Sequence, residues 1–496
     1  MNSLIAQDKV QAEKIKVEFS NDLLHPTLRN KEKSTTEVDV VIPTSQPSAK
    51  CWNFRAWETN HSMREAIELL EVGVSYQINQ FIITGEAYLN ADKSQREILS
   101  KITKEYNIQL ILKSATFKLP LKKGELEDLE EYSAVKNADI LISIDNNLSF
   151  NNDTTLDYLK KILASIKNKN KKIYCDSFSR DEGFLNALQQ LNDTRIIPAI
   201  NWTKGNWSLT APLNTLISKY DGNSIIRMDV SLENLGNNEI LAILPDYIGF
   251  RQTQCLEANK NITGFTMNFG SGITSFGTLN AINIFTMTEF LLNKEKDLDI
   301  INDNWFTAAY GHKDGLEIMN TTANSANILR QSLYINNSED LEFTKNIMPT
   351  PLQELLTAAT LTSWCKLKKG SNFKSSSIFK EKLRAKELID VLEKNYKGFV
   401  SNKKISDSAV TFTQIQKTKD MVEMLQDYTS LFLQAQQESL EPSHLETLKP
   451  HIKKFPAIEN SIKEFKEIYI EKKPDILELI PQENLPAYMQ KDAKSD

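Results

Sequence analysis

Side chains able to do chemistry alternate most sharply in the run Ile226–Gly236. Arg227, Asp229, Ser231 and Glu233 fall on one face of an extended segment, and Ile226, Met228, Val230 and Leu232 on the other. The apolar face needs a protein layer to cover it. The polar file is costly to bury and is expected to look into a wet pocket. The bland alternative is an ion pair between Arg227 and Asp229 that merely plugs an interior. Other extended segments end in residues of the same character: Asn53, Arg55 and Trp57; Thr84 and Glu86; Lys113; Asp145 and Asn147; Asp176 and Arg180; Asn201, Trp202 and Lys204; and Asn268. Carboxylates do acid–base chemistry. Indoles offer flat apolar faces on which sugar rings stack. The cations Arg55, Lys113, Arg180, Lys204 and Arg227 suit an anionic group, because a guanidinium meets a carboxylate in a two-pronged geometry. The mixture points to a charged carbohydrate as ligand.

These residues need a common frame. Eight β-rich runs occur at 51–57, 80–85, 108–117, 139–145, 171–177, 194–201, 224–230 and 262–270. Amphipathic stretches such as 63–75 and 154–168 lie between most of them. This grammar predicts a (β/α)8 TIM barrel over residues 45–296, whose site lies at the mouth formed by the C-terminal ends of the strands. After residue 297 helix-period stretches take over, at 299–311, 352–369, 380–396 and 413–438. Their apolar faces need partners, so a helical C-terminal domain over 297–496 is expected to pack on the barrel. A homodimer through that domain is the oligomer the pattern allows. Residues 1–44 are polar and mixed in charge, and read as an N-terminal arm, mobile or lying on the barrel.

Composition removes several classes. Of 496 residues, 40% are hydrophobic and 25% charged, which excludes a disordered or collagenous chain. Lys and Arg number 59 against 65 Asp and Glu, a net charge of −6, so there is no basic field for nucleic acid. The four cysteines and five histidines are scattered, with no CxxC pair and no HExxH, so no metal site is expected. No glycine-rich nucleotide motif appears, so no cofactor is expected either. No apolar run approaches the length of a membrane span. The start, MNSLIAQDKVQAEKIK, lacks the apolar centre of a signal peptide, which leaves a cytoplasmic or periplasmic home.

Residues 208–236, SLTAPLNTLISKYDGNSIIRMDVSLENLG, resemble a segment of the glycoside hydrolase family 67 α-glucuronidases. There a P-F-S-P-like stretch precedes an E-F-Q-I-T-Q-E-Y-x-G-like strand. Downstream, ITGFTMNFGSG from residue 262 is similar to that family's G-(V/I)-x-x-x-x-N-x-G stretch. Upstream, MREAIELLEVGVSYQINQFIIT at 63–84 is similar to its I-K-D-Y-A-R-x-L-A-S-x-G-I-N-G helix and strand. The resemblance runs in patches from about residue 50 to 330. It implies a catalytic barrel followed by helices, acting on glycosides of uronic acids with inversion. A glutamic acid would serve as general acid and a Glu/Asp pair would activate water. The Q-E-Y-x-G glutamate falls on Glu233. The acid of the family's N-S-E-G-Q-P-G-P loop falls on Asn147, two residues after Asp145. The aspartate of its I-D-F-Q stretch falls near Gly205 or Asn206. Two of the three family carboxylates are therefore absent, as is the family's separate N-terminal β domain.

The resulting expectation is a glycoside hydrolase with a rearranged acid–base set. Glu233 is the base and Asp145 the first choice of acid, with Asp229, Asp176 and Glu86 as alternatives. Arg55, Trp57, Glu86, Lys113, Asn147, Asp176, Trp202, Lys204, Arg227 and Asn268 are the expected contacts to an oligosaccharide. The competing expectation is a non-catalytic barrel, derived from such an enzyme, that binds carbohydrate or stabilises a partner. A lyase acting on uronates has no positive motif.

Overall fold

The computed structural model describes residues 10–117, 123–144, 152–177, 182–202, 213–229, 239–270, 272–333, 375–402, 408–436, 440–455 and 458–467. Eight parallel strands close into the expected barrel: β3 (Phe54–Thr59), β4 (Gln80–Thr84), β5 (Gln109–Phe117), β6 (Ala138–Ile144), β7 (Ile173–Ser177), β8 (Ile196–Asn201), β9 (Ser224–Asp229) and β10 (Ile262–Asn268). The barrel closes where β10 pairs with β3. At that seam a Cβ on Gly264 would stand 1.8 Å from the carbonyl oxygen of Phe54, so only glycine lets the two backbones approach.

The pleat sorts each strand into an inward and an outward file. Phe54, Ala56, Ile82, Ile111, Leu141, Tyr174, Ala199 and Ile225 meet inside as a dry plug. The outward file, including Phe81, Ile83, Leu112, Ile140, Ile226 and Phe265, joins the large core beneath the helices. Each fully buried Ile or Leu stabilises by about 1.5–3 kcal/mol.

Around the barrel run α1 (Met63–Ser75), α2 (Gly85–Asn90), α3 (Lys93–Glu105), α4 (Lys123–Ala134), α5 (Asn152–Ser165), α6 (Glu182–Leu191), α7 (Thr215–Lys219), α8 (Pro245–Ala258) and α9 (Ala281–Leu292). Two of these helices start on capping boxes, Ser62 with Glu65 and Asp92 with Gln95. In α9 every residue is buried, because helices cover it on its outer side as well.

A helical region follows: α10 (Leu298–Tyr310), α11 (His312–Thr322), α12 (Ser325–Leu333), α13 (Ser375–Asn402), α14 (Ser408–Gln436) and α15 (Ile458–Phe465). The expected helix at 352–369 lies outside the described residues. Residues 240–244 cross between barrel and helices without secondary structure, yet they are buried. Side chains satisfy their backbone. Asn280 and Asn283 each accept from one amide and donate to one carbonyl of the segment. Ser325 serves Ile243, and Thr418 accepts from Leu241 N at 2.9 Å.

The N-terminal stretch, read from sequence as an arm either mobile or lying on the barrel, forms a ribbon against α1. β1 (Ala12–Ser20) and β2 (Thr35–Pro43) form an antiparallel ribbon. Tyr76 Oη donates to Val41 O at 2.7 Å, and Glu68 accepts from both the amide and the hydroxyl of Ser20, tying the ribbon to α1. The signal was present in the alternation of Ile15, Val17 and Phe19 with Lys14, Lys16 and Glu18.

Candidate active site

One pleat step above the dry plug, the inward file turns polar on every strand: Glu58, Thr84, Lys113, Ser143, Asp176, Asn201, Arg227 and Thr266. Four of these residues form one charged network. Arg227 donates from Nε to Glu58 Oε2 at 3.1 Å, and its two terminal nitrogens reach Glu58 Oε1 and Asp176 Oδ2. Lys113 Nζ donates to Glu58 Oε1 at 2.8 Å and to Asn60 Oδ1 at 3.2 Å. Glu58 and Asp176 are fully buried, and Arg227 is 5% exposed. Lys113, at 14% side-chain exposure, is the member that reaches solvent.

Burial pushes both carboxyls up, and their neighbours decide the outcome. At Glu58 the Arg227 guanidinium and Lys113 ammonium outweigh burial and hold the group at about 2. At Asp176 burial prevails, since among the described residues Arg227 is the one contacting cation and the Glu58 charge opposes ionisation; its value rises to about 6. Arg227 is desolvated as well, but its two carboxylates carry it above the ordinary range, so it stays charged. Asp176 Oδ1 is buried with no hydrogen-bond partner among the described residues, so only Oδ2 is stabilised as an anion there.

The loops after β3 and β10 are pinned together beside this network. Asn60 N donates to Gly270 O at 2.8 Å. His61 Nδ1 meets Thr59 Oγ1 at 2.6 Å, and its Nε2 meets Gly272 O at 2.8 Å. Burial keeps this ring neutral, with Nε2 as the donor.

Of the residues singled out in the sequence, Lys113, Asp176 and Arg227 converge in the network. Asn268 is also inward, and its Oδ1 accepts from Gly270 N. Asp229 ends β9 opposite Asn268, with its side chain outside the described set. Asp145, Asn147, Lys204 and Glu233 lie outside the described residues. Glu86 is exposed in the first turn of α2, which Thr84 caps.

Three expected contacts to ligand point the other way. Arg55 faces the helix layer, where it donates to the carbonyls of Trp52 and Gln77. Trp57 packs on Tyr76, Phe269 and Phe276, and Trp202 packs edge-on to Tyr247 of α8. These indoles are core, not sugar platforms. β3 ends at Thr59, two residues past the expected end, and its inward file is Phe54, Ala56 and Glu58. The sequence reading therefore missed Glu58. A carboxylate two residues after two apolar inward positions was the available signal.

Among the described residues no group of three or more His, Cys, Asp or Glu side chains could hold a metal ion. Cys51, Cys175 and Cys255 are free thiols. No described helix is long and apolar enough to cross a membrane.

No family model matches the chain, and no curated protein matches it in sequence. Among solved structures it is similar to a GH138 enzyme targeting pectin rhamnogalacturonan II. That match has a TM-score of 0.55 and 10% identity, over 86% of this chain and 78% of the other. The likeness is one of fold. A family GH115 4-O-methyl-alpha-glucuronidase with specificity for decorated arabinogalactans also aligns, at 10% identity and a TM-score of 0.48. It covers 87% of this chain, which spans 62% of that larger protein.

Proposed function

We propose that the chain is a glycoside hydrolase acting on a carbohydrate that contains uronic acid, with carboxylates at the barrel mouth supplying acid–base chemistry. The observation that carries this reading is the charged ring above the dry plug. There a buried carboxyl raised to about 6, Asp176, shares Arg227 with one held at about 2, Glu58, and Lys113 faces solvent beside them. Two carboxyls pushed apart in pKa are the arrangement from which acid and base roles are drawn. The pectin-directed enzyme of similar fold and the resemblance of the 208–236 segment to family 67 α-glucuronidases support the substrate class. On that resemblance Glu233 is the base that activates water, with Asp145 or Asp229 donating to the leaving oxygen. On this reading Lys113, Arg227 and Asn268 are the proposed sugar contacts among the described residues, with Asn147 and Lys204 as further ones.

One observation favours a second reading. Both described carboxyls at the mouth end, Glu58 and Asp176, are bound to Arg227, so the network is self-neutralised and stands without ligand. A barrel that binds carbohydrate without turning it over fits this as well. The deciding experiment incubates wild type, Glu233→Gln and Asp145→Asn with uronic-acid and neutral oligosaccharides, separates products by mass and measures affinity. Turnover of uronates that falls about 10²–10⁴-fold in Glu233→Gln supports the enzyme. Binding with no turnover in wild type favours the second reading. Turnover unchanged in both variants removes the acid–base assignment.

A further inference from the structure

The opposite end of the barrel carries a pocket that the chemistry above does not use. Gln80, Gln109, Asp139 and Lys172 stand two residues before Ile82, Ile111, Leu141 and Tyr174, and so face inward at the strand starts, beneath the dry plug. They line a space of about 470 Å³ together with Lys136, Lys171 and Tyr174. That size falls within the range of small-molecule sites, about 300–1,000 Å³, but the wall is polar where such sites are mostly apolar. Three cations face one carboxyl. Lys171 is committed to the carbonyls of Val135 and Ala138. Lys136 and Lys172 are exposed, and neither side chain has an ion-pair partner among the described residues.

The rest of the wall asks for hydroxyl groups. Gln80 Oε1 is buried without a hydrogen-bond partner among the described residues. The Tyr174 hydroxyl has no hydrogen-bond partner among the described residues either, and burial keeps it protonated. Gln80 lines the pocket, and its side-chain amide carries both a donor and an acceptor for a hydroxyl. We infer that this floor binds a small hydroxylated anion, a sugar acid or a sugar phosphate, with its charged group on Lys136 and Lys172 and its hydroxyls on Gln80 and Tyr174. The inference does not depend on the reaction assigned to the mouth.

Titration calorimetry on the full chain tests it, with D-glucuronate in one arm, glucose 6-phosphate in the other and glucose as the neutral control. Saturable binding of at least one anion is expected, with none of glucose. Replacing both exposed lysines, Lys136→Gln with Lys172→Gln, should weaken it at least about tenfold, while Lys93→Gln, an exposed lysine of α3, leaves it in place. Which arm binds distinguishes carboxylate from phosphate. The inference is overturned if neither anion binds, if glucose binds equally well, if the double variant binds like wild type, or if Lys93→Gln is the change that abolishes binding. Matching far-ultraviolet spectra of the variants exclude loss of fold as the cause.

Discussion

Glu58 in the barrel and Glu393 on α13 are both held at about 2, by different physics. Glu58 is sealed from solvent, so burial opposes its charge and two cations must overcome it. Glu393 is also covered, at 11% side-chain exposure, but largely by partners that reach solvent themselves, and hydrogen bonds from Lys397, Lys419 and Gln416 lower it. Lys397 itself is 57% exposed. The same pKa therefore records two different energies. In the barrel each ion depends on the others, because a lone charge there has no water to turn to. On α13 any one partner can leave and water replaces it.

That contrast breaks most readily at Arg227. Arg227→Met leaves two carboxyls in a dry site, and a loss of about 3–5 kcal/mol is expected in urea unfolding. A loss below about 1 kcal/mol would show that water already reaches the pair. Next in size is a pH effect. The folded value of Asp176, about 6, lies above its ordinary 3.8, so the native state holds a proton that the unfolded chain releases. Stability should therefore fall as pH rises from about 4 to 6, and Asp176→Asn should remove that slope from the thermal midpoint. Parallel curves for the two proteins would refute the raised value. Glu58 acts in the opposite sense: its contribution is lost as pH falls from about 4.5 toward 2. The smallest effect belongs to Glu393→Gln, expected within about 1 kcal/mol and shrinking in high salt. A loss above about 2 kcal/mol would place Glu393 with Glu58 and erase the distinction.

The barrel was legible because eight short β-rich runs alternate with helical periods, and all eight runs are strands. In β9 the inward turn of Arg227 was legible as well, since Ile226 and Met228 face the helices on the other side. The same logic failed in β3, where an inward file is polar only at its top. Phe54 and Ala56 fill the plug, and Arg55 and Trp57 sit on the outward face. A polar residue low on a strand can thus belong to the outer layer, its charged end returning to backbone carbonyls. Which file faces inward is fixed by the dry plug, a contact among seven strands that no single segment reveals. The ribbon of β1 and β2 was hidden for another reason: its charged outer file dominates the local composition, while Val17, Phe19, Val38 and Val40 find their cover only in the folded chain.

The clamp on residues 240–244 has a bearing on how the chain is made. Leu241 N finds its acceptor 177 residues later, on Thr418. A nascent chain elongating at about 5–20 residues per second has Leu241 in hand on the order of ten to forty seconds before Thr418 is joined to it. The asparagines of α9 can grip the segment early, since they follow it by about forty residues. The last of its amide partners arrives only with α14. The barrel is thus assembled in two instalments, and its final hydrogen bond is supplied by the part of the protein synthesised long after the strands.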